Sequence, residues 1–178
     1  MKLFTIADLH FGHSNIIKYC NRPFDNADVM NEILISNWNG VVSDEDIVYV
    51  CGDVAMNPRI CKEIVPRLNG KKILIMGNHD QRSPQFYRDC GFAEVSKWPI
   101  LVQGFYLMSH APLQCFTNVP SFNFYGHVHN DPMYVDTENS KCISVERINY
   151  TPYCFAIVER ESGVDEINYS TRRVTNEQ

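Results

Sequence analysis

The sequence predicts an α/β fold with a parallel first half and a more antiparallel second half. Three observations carry this. Short apolar runs of strand length, rich in β-branched and aromatic residues, recur along the chain. Amphipathic stretches separate the first three of them, and after Phe92 the runs follow one another too closely to hold a helix between them.

The elements follow in order. KLFTIA is the first run and ends at Asp8; a helix can start at Ser14, just after His13. Asn26 is a cap for a helix on which Val29, Met30, Ile33, Leu34 and Trp38 share a face, with Asn39-Gly40 as the stop. DIVYVCG follows and ends at Asp53. A second amphipathic stretch, from about Pro58 to Leu68, carries Ile60, Ile64, Val65 and Leu68 and stops at Asn69-Gly70. KKILIMG then leads to Asn78 and His79. Strand, helix, strand, helix, strand implies a parallel sheet with right-handed crossovers. PILVQ and FYLMS, joined by a turn at Gly104, read as a hairpin ending at His110, and FNFYG ends at His127. Residues 130–141 read as loop and 170–178 as a loosely ordered tail. Trp38 and Trp98 read as core, and Asp44-Glu45-Asp46 as a solvated turn.

Composition narrows the function classes. A single domain over residues 1–178 suits the length, and a chain of this size buries about 70% of its unfolded surface. With 44% hydrophobic and 21% charged residues, neither disorder nor a disulfide-dependent miniprotein is expected. The net charge of −5 argues against a grip on extended nucleic-acid duplex but leaves room for a small phosphorylated substrate. No apolar run approaches the ~20 residues of a membrane span, and the N-terminus lacks a signal-peptide layout, so a cytoplasmic protein is expected. The seven cysteines are scattered without a CxxC pair and read as buried small hydrophobes.

The functional clue is where the apolar runs stop: five of them end in Asp, Asn or His. Ligands in α/β sheets bind beyond the carboxyl ends of strands, where loops converge. Each such residue taken alone could be a turn or cap residue; their joint placement is harder to ascribe to turn chemistry.

Asp8-Leu9-His10, Gly52-Asp53, Gly77-Asn78-His79-Asp80, Ser109-His110 and Gly126-His127-Val128-His129 resemble, in order and spacing, the motifs of calcineurin-like metallophosphoesterases. DLHFGHSNIIKYCNRPF, SHAPL and ISVERINYTP look like the small bacterial and phage-type members, and the resemblance covers roughly residues 3 to 150. It implies a two-sheet β-sandwich flanked by helices. It also implies that Asp8, His10, Asp53 and His129 hold one metal and Asp53, Asn78, His110 and His127 the other, with Asp53 bridging. Carboxylate, imidazole and amide ligands without thiolate suit two divalent ions, Mn²⁺ first, with Fe, Zn²⁺ or Ni²⁺ as alternatives. Glycines 52, 77 and 126 would allow sharp turns behind the ligands.

Two such ions activate a water between them for in-line attack on phosphorus and clamp the phosphate oxygens, and their field opposes the acidic charge of the chain. The resemblance makes His79 the group that assists the leaving oxygen, and Asp80 either orients His79 or closes the turn. His13 and, more weakly, Asn15 could face substrate, or His13 could bond locally. Arg22, Arg82 and Arg147 are candidate phosphate or base contacts, against the alternative of solvated surface. Phe116, Phe122, Phe124 and Tyr125 could stack on a base or pack in the core. The expectation is a phosphodiesterase acting on a small nucleotide or similar compact diester. A phosphomonoesterase or protein phosphatase with the same site, a nuclease, and a non-catalytic interaction module are the alternatives. A homo-oligomer is compatible with the sequence.

Overall fold

The computed structural model describes residues 1–114 and 121–155; Cys115, Phe116 and the expected tail lie outside the described residues. The first half of the chain forms β1 (Leu3–Ile6), α1 (Ser14–Tyr19), α2 (Ala27–Val41), β2 (Ile47–Val50), α3 (Pro58–Ile64), β3 (Lys71–Ile75), α4 (Pro84–Asp89) and β4 (Glu94–Ser96). The second forms β5 (Ile100–Val102), β6 (Tyr106–Ser109), β7 (Phe122–Tyr125), β8 (Ser140–Cys142) and β9 (Tyr153–Cys154). Short 3₁₀ turns occupy Val65–Arg67 and Val145–Arg147.

Two sheets result, ordered β4-β3-β2-β1-β9 and β5-β6-β7-β8. All five apolar runs are strands, and β1 through β4 pair in parallel as the alternation with helices requires. Antiparallel pairing is confined to the β5–β6 hairpin and the β1–β9 edge; β6–β7 and β7–β8 are parallel. The second half is therefore less antiparallel than closely spaced strands suggest. The sheets face each other across one core, where Tyr106 and Phe124 pack on Phe155 at 4.9 and 5.1 Å between ring centres. At one end they are joined: Ala7, just past β1, donates to Ile143 and accepts from Val145. The carboxyl ends of both sheets thus meet around the residue before Asp8.

Several local readings change. The Asn26 side chain caps α2 by accepting from Val29 N–H. The inward face of α2, however, is Ala27, Met30, Asn31, Leu34, Ile35 and Trp38, while Val29 and Ile33 are exposed. Asn31 turns inward because its Oδ1 accepts from Gly12 N–H at 2.9 Å, and it tethers the loop after His10. The helix runs past Asn39-Gly40 to Val41, with Val42 buried beyond it. The second amphipathic stretch is α3, capped by Asn57, and tightens into the 3₁₀ turn at Val65 because Pro66 lacks the N–H that an α-helix would use. Trp38 is fully buried with its indole N–H on Asn69 O, whereas Trp98 is 76% exposed. Of the cysteines described, Cys20, Cys51, Cys61, Cys90 and Cys142 are buried and free. Phe122, Phe124 and Tyr125 are buried, so they pack rather than stack on a ligand.

Asp46 is a structural residue rather than part of a solvated run. Its carboxylate accepts from Lys2 N–H at 2.6 Å, Ser43 N–H at 2.9 Å and the Ser43 hydroxyl at 2.8 Å, which fixes the approach to β2 beside β1. The backbone donors of Ser43 and Lys2 hold its pKa down to about 2. A depressed carboxylate pKa contributes stability above the ordinary value of about 3.9, and that contribution is lost as pH falls toward the folded value. Asp46→Asn is expected to lower the urea midpoint at pH 7, and its deficit relative to wild type should shrink steadily between pH 4 and pH 2 in parallel unfolding curves.

Candidate metal centre

The strands deliver their terminal residues to one place because the backbone turns left-handed where it leaves the sheets. Asp8, His10, Asp53, His127 and His129 have φ of 58°, 50°, 57°, 72° and 49°. Non-glycine residues seldom adopt this region, each at a cost of roughly 1–3 kcal/mol, and such strain concentrates at functional sites. Gly52 shares it at φ 90°, and a Cβ there would also strike His110 Nδ1 and lie 2.7 Å from Gly77 Cα. Gly77 and Gly126 are not left-handed, which corrects the reading of all three as turn residues. A Cβ on Gly77 would collide with the Asp53 carboxylate, and one on Gly126 would sit 2.6 Å from Asp8 Oδ2.

The side chains form two adjoining lobes. In the first, ligand atoms of Asp8, His10 and His129 lie within 4.8 Å of one another, and the His10 and His129 rings stack at 5.2 Å. In the second, Asn78 Oδ1 is 2.8 Å from His110 Nε2 and 2.9 Å from His127 Nδ1, and those two nitrogens are 3.1 Å apart. Asp53 stands between them, with Oδ2 3.5 Å from His10 Nε2 and Oδ1 3.6 Å from His110 Nε2. The structure therefore brings together all seven residues proposed as ligands. His79 is at the rim: it is exposed, its ring lies edge-on 5.2 Å from His10, and its backbone N–H donates to Asp53 Oδ1 at 2.9 Å.

These groups fit a cation. Asp8 Oδ1 and His10 Nε2 are buried and lack a hydrogen-bond partner among the described residues. His110 Nδ1 lies 2.9 Å from Cys51 O, which assigns its proton there and leaves the Nε2 lone pair facing Asn78 Oδ1, another acceptor. Acceptors converging on acceptors call for a positive charge. Adjacent ligands of an octahedral ion bound at about 2.1 Å lie about 3.0 Å apart, close to the spacing of the second lobe.

Titration reflects the same frustration. Burial raises the Asp8 pKa to about 6 against the pull of His129 and His110. Burial, with His129 and Arg22 adding to it, drops His10 to about 2, and burial likewise lowers His127. His129 loses by burial but is raised to about 10 by its contacts with Cys20 and Glu146 and by the Asp8 charge.

A surrounding harness was not legible as such. Ser144 Oγ donates to Asp8 Oδ2 at 2.6 Å, and His127 N–H donates to the same oxygen at 2.8 Å. Glu146 Oε1 lies 3.0 Å from His129 Nδ1, and Arg147 Nε donates to His129 O at 2.7 Å. The side chains of this harness, Ser144, Glu146 and Arg147, all lie in the ISVER segment, of which the sequence singled out Arg147 alone and for a different role. Asn123, buried in β7, holds Ser109 Oγ and Leu113 N–H on either side of His110.

Several proposed roles change accordingly. Among the described residues no hydrogen bond joins the Asp80 carboxylate to the His79 ring; it accepts from Asp53 N–H at 2.7 Å, Gly77 N–H at 2.9 Å and Val54 N–H at 3.2 Å, so it closes the turn and locks two ligand loops together. Arg22 is no substrate contact, because its side chain is fully buried and donates to Asp8 O, Leu9 O and Glu146. Arg147 is likewise occupied, with NH1 on Tyr134 O and NH2 on Asp131 O. Asn15 and Arg82 are exposed, and no hydrogen bond or ion pair among the described residues ties either side chain to the cluster. His13 does border it: its ring is 5.5 Å from His10, and its Nδ1 is buried without a hydrogen-bond partner.

A family model described as calcineurin-like phosphoesterase matches residues 1–157. An uncharacterized protein of Methanocaldococcus jannaschii is 37% identical over 167 residues, covering 88% of this chain and 89% of its own length. The gene 66 protein of Mycobacterium phage L5 is 31% identical over 84 residues, 44% of this chain and 39% of its own. Among solved structures, a protein of unknown function from Aquifex aeolicus is similar at TM-score 0.71 and 23% identity, covering 90% of this chain and 98% of its own. Pseudomonas putida nuclease MPE is similar at TM-score 0.50 and 19% identity, covering 71% and 61%. At these identities the two structures speak for the fold. No helix among the described residues is long and apolar enough to cross a membrane.

Because the converging acceptors exist in the folded chain alone, cation binding is expected to stabilise it. Mn²⁺ at a hundredfold excess over its dissociation constant should add about 2.7 kcal/mol per site, and EDTA should reverse the gain. Asp53→Asn should lose most of the Mn²⁺-induced rise in thermal midpoint; an equal rise in variant and wild type would show that Asp53 does not face the ion.

Proposed function

The chain belongs to the calcineurin-like phosphoesterase family, whose members are metal-dependent hydrolases, and from that premise we propose a phosphodiesterase that uses two divalent ions, Mn²⁺ first, on a small nucleotide or similarly compact diester. The observation that carries this reading is the Asp53 carboxylate, which faces both lobes of the cluster with His79 beside it at the rim. Asp8, His10 and His129 would hold one ion and Asn78, His110 and His127 the other, with Asp53 shared. When bound, such a pair supplies Lewis-acid activation of water and charge neutralisation at the phosphate.

The protein's own residues do the rest. Asp53 fixes the rim as well as the centre, since its Oδ1 holds the His79 backbone N–H at 2.9 Å. The exposed His79 imidazole is thereby kept where a leaving oxygen departs, and can give it a proton. Proton donation matters most for poor leaving groups such as nucleoside alkoxides, which is why His79 supports a diesterase. His13, on the same side of His10, borders the space an ester substituent would fill. Residues of the second lobe reach solvent while Asp8 and His10 do not, so substrate approaches from the side of Asn78, His79 and His127. The six free thiols among the described residues fit the cytoplasm.

Activity with Mn²⁺ on bis-p-nitrophenyl phosphate should exceed that on p-nitrophenyl phosphate, and Asp53→Asn should abolish both. His79→Ala should lower kcat about 10²–10⁴-fold on an alkyl or nucleoside diester and far less on the nitrophenyl diester, whose leaving group needs no proton. A monoester preference, or equal loss on both diesters, would refute the reading. Since one of the similar solved structures is named a nuclease, a short oligonucleotide belongs in the same panel as cyclic mono- and dinucleotides.

A further inference from the structure

Among the described residues a deeply buried arginine–glutamate pair lies directly behind one lobe only. Arg22 and Glu146 are 0% and 4% exposed at the side chain, with NH2 2.7 Å from Oε1. Two further Arg22 hydrogens go to the loop that carries Asp8 and His10, with NH2 donating to Asp8 O at 2.8 Å and NH1 to Leu9 O at 3.0 Å, and NH1 also donates to Met30 Sδ at 3.4 Å. Glu146 Oε1 in turn lies 3.0 Å from His129 Nδ1, so the imidazole proton belongs to that contact and the Nε2 lone pair is left for Asp8 and His10 to complete. One guanidinium therefore backs the whole first lobe: it holds the main chain of Asp8, the carbonyl of Leu9 just before His10, and His129 by way of Glu146. No hydrogen bond among the described residues joins Arg22 or Glu146 to Asn78, His110 or His127. In the second lobe His110 is held on Cys51 O, and the link to the first lobe runs through the His127 main chain, whose N–H donates to Asp8 Oδ2.

We infer that Arg22 and Glu146 are positioning residues for one metal ion of the two: they set the affinity of the Asp8, His10 and His129 lobe and make no direct contact with the Asn78, His110 and His127 lobe, which keeps its own partners. The inference rests on the two-ion reading above. Cys20 Sγ lies within 4.8 Å of His129 and Glu146 ligand atoms, but this trio is no third cation site, because Arg22 already supplies the positive charge at that carboxylate. Nor does the pair pay for itself as a stabiliser: both Arg22 donors use Oε1, and Oε2 is buried without a hydrogen-bond partner. Replacing both members together leaves no uncompensated charge, although it also frees the Asp8 and Leu9 carbonyls that Arg22 holds. Hydrogen-bonded partners behind a metal ligand, by contrast, typically govern affinity 10–100-fold.

The test is Mn²⁺ titration of the full chain after EDTA treatment, read by calorimetry and by elemental analysis after dialysis. Wild type should bind two ions. Glu146→Gln and the double variant Arg22→Met/Glu146→Leu should each keep one ion at its original affinity and bind the other about 10–100-fold more weakly. Adding Asn78→Ala to either should remove the ion that remains. The double variant guards against the uncompensated charge of the single one, and its circular dichroism and cooperative metal-free unfolding should show that it is folded. Two ions at unchanged affinity in the variants, or equal weakening of both, would overturn the inference while sparing the two-ion reading. A wild type that binds one ion overturns the two-ion reading itself.

Discussion

The structure turns on where the carboxylate of Asp53 is held. Its backbone N–H and that of Val54 are locked onto Asp80, its carbonyl accepts from His10 N–H at 2.9 Å, and its Oδ1 accepts from His79 N–H. Three strand ends are thereby tied through one residue: β1 by way of His10, β2 directly, and β3 by way of Gly77, His79 and Asp80. The tie explains the close packing behind it, since Gly77 has no room for a Cβ against Asp53. The distances to His10 and His110 on either side follow from the same placement.

This tie is achieved against local preferences. Five left-handed non-glycine residues, a fully buried Asp8 and an unpartnered His10 nitrogen are each unfavourable in an isolated chain. What offsets them is the two-sheet core, in which Phe4, Ile6, Val48, Val50, Leu74 and Phe124 are almost completely buried. The core supplies stability in bulk, and the loops at the carboxyl ends give some of it up to bring like groups together. A cation relieves that conflict because it turns mutually repelling acceptors into partners.

Much of the fold and most of the candidate site were legible in sequence because both depend on local signals. Apolar β-branched runs mark β1, β2, β3, β6 and β7, and a ligand-type residue directly after each marks the cluster. What was not legible depends on contacts distant in sequence. The inward face of α2 was misread because Asn31 points into the protein to reach Gly12, a partner that periodicity cannot reveal. Asp46 looked solvated because its donors include the N-terminal Lys2. Arg22 and Arg147 looked like phosphate ligands because a buried arginine with backbone partners has the same letter as an exposed one. Glu146 gave no motif of its own, although its neighbours Ser144 and Arg147 act on the same two ligands, Asp8 and His129.

The two lobes also differ in what surrounds them, and this divides their work. Asp8 and His10 are 0% and 2% exposed and backed by Arg22 and Ser144, so the floor of the first lobe is enclosed by protein while His129 reaches its partly exposed edge. Asn78, His79 and His127 are exposed, so the second lobe has its open side toward solvent. An enclosed set of ligands with fixed partners favours one geometry for what it holds, while an open set leaves positions for an incoming oxygen. The acidic chain as a whole repels phosphates, with a net charge of −5, but charge at this opening is set locally by whatever cation the acceptors hold. On the proposed reading, attraction of an anionic substrate to this opening comes from the cation that the acceptors hold, and not from the charge of the chain.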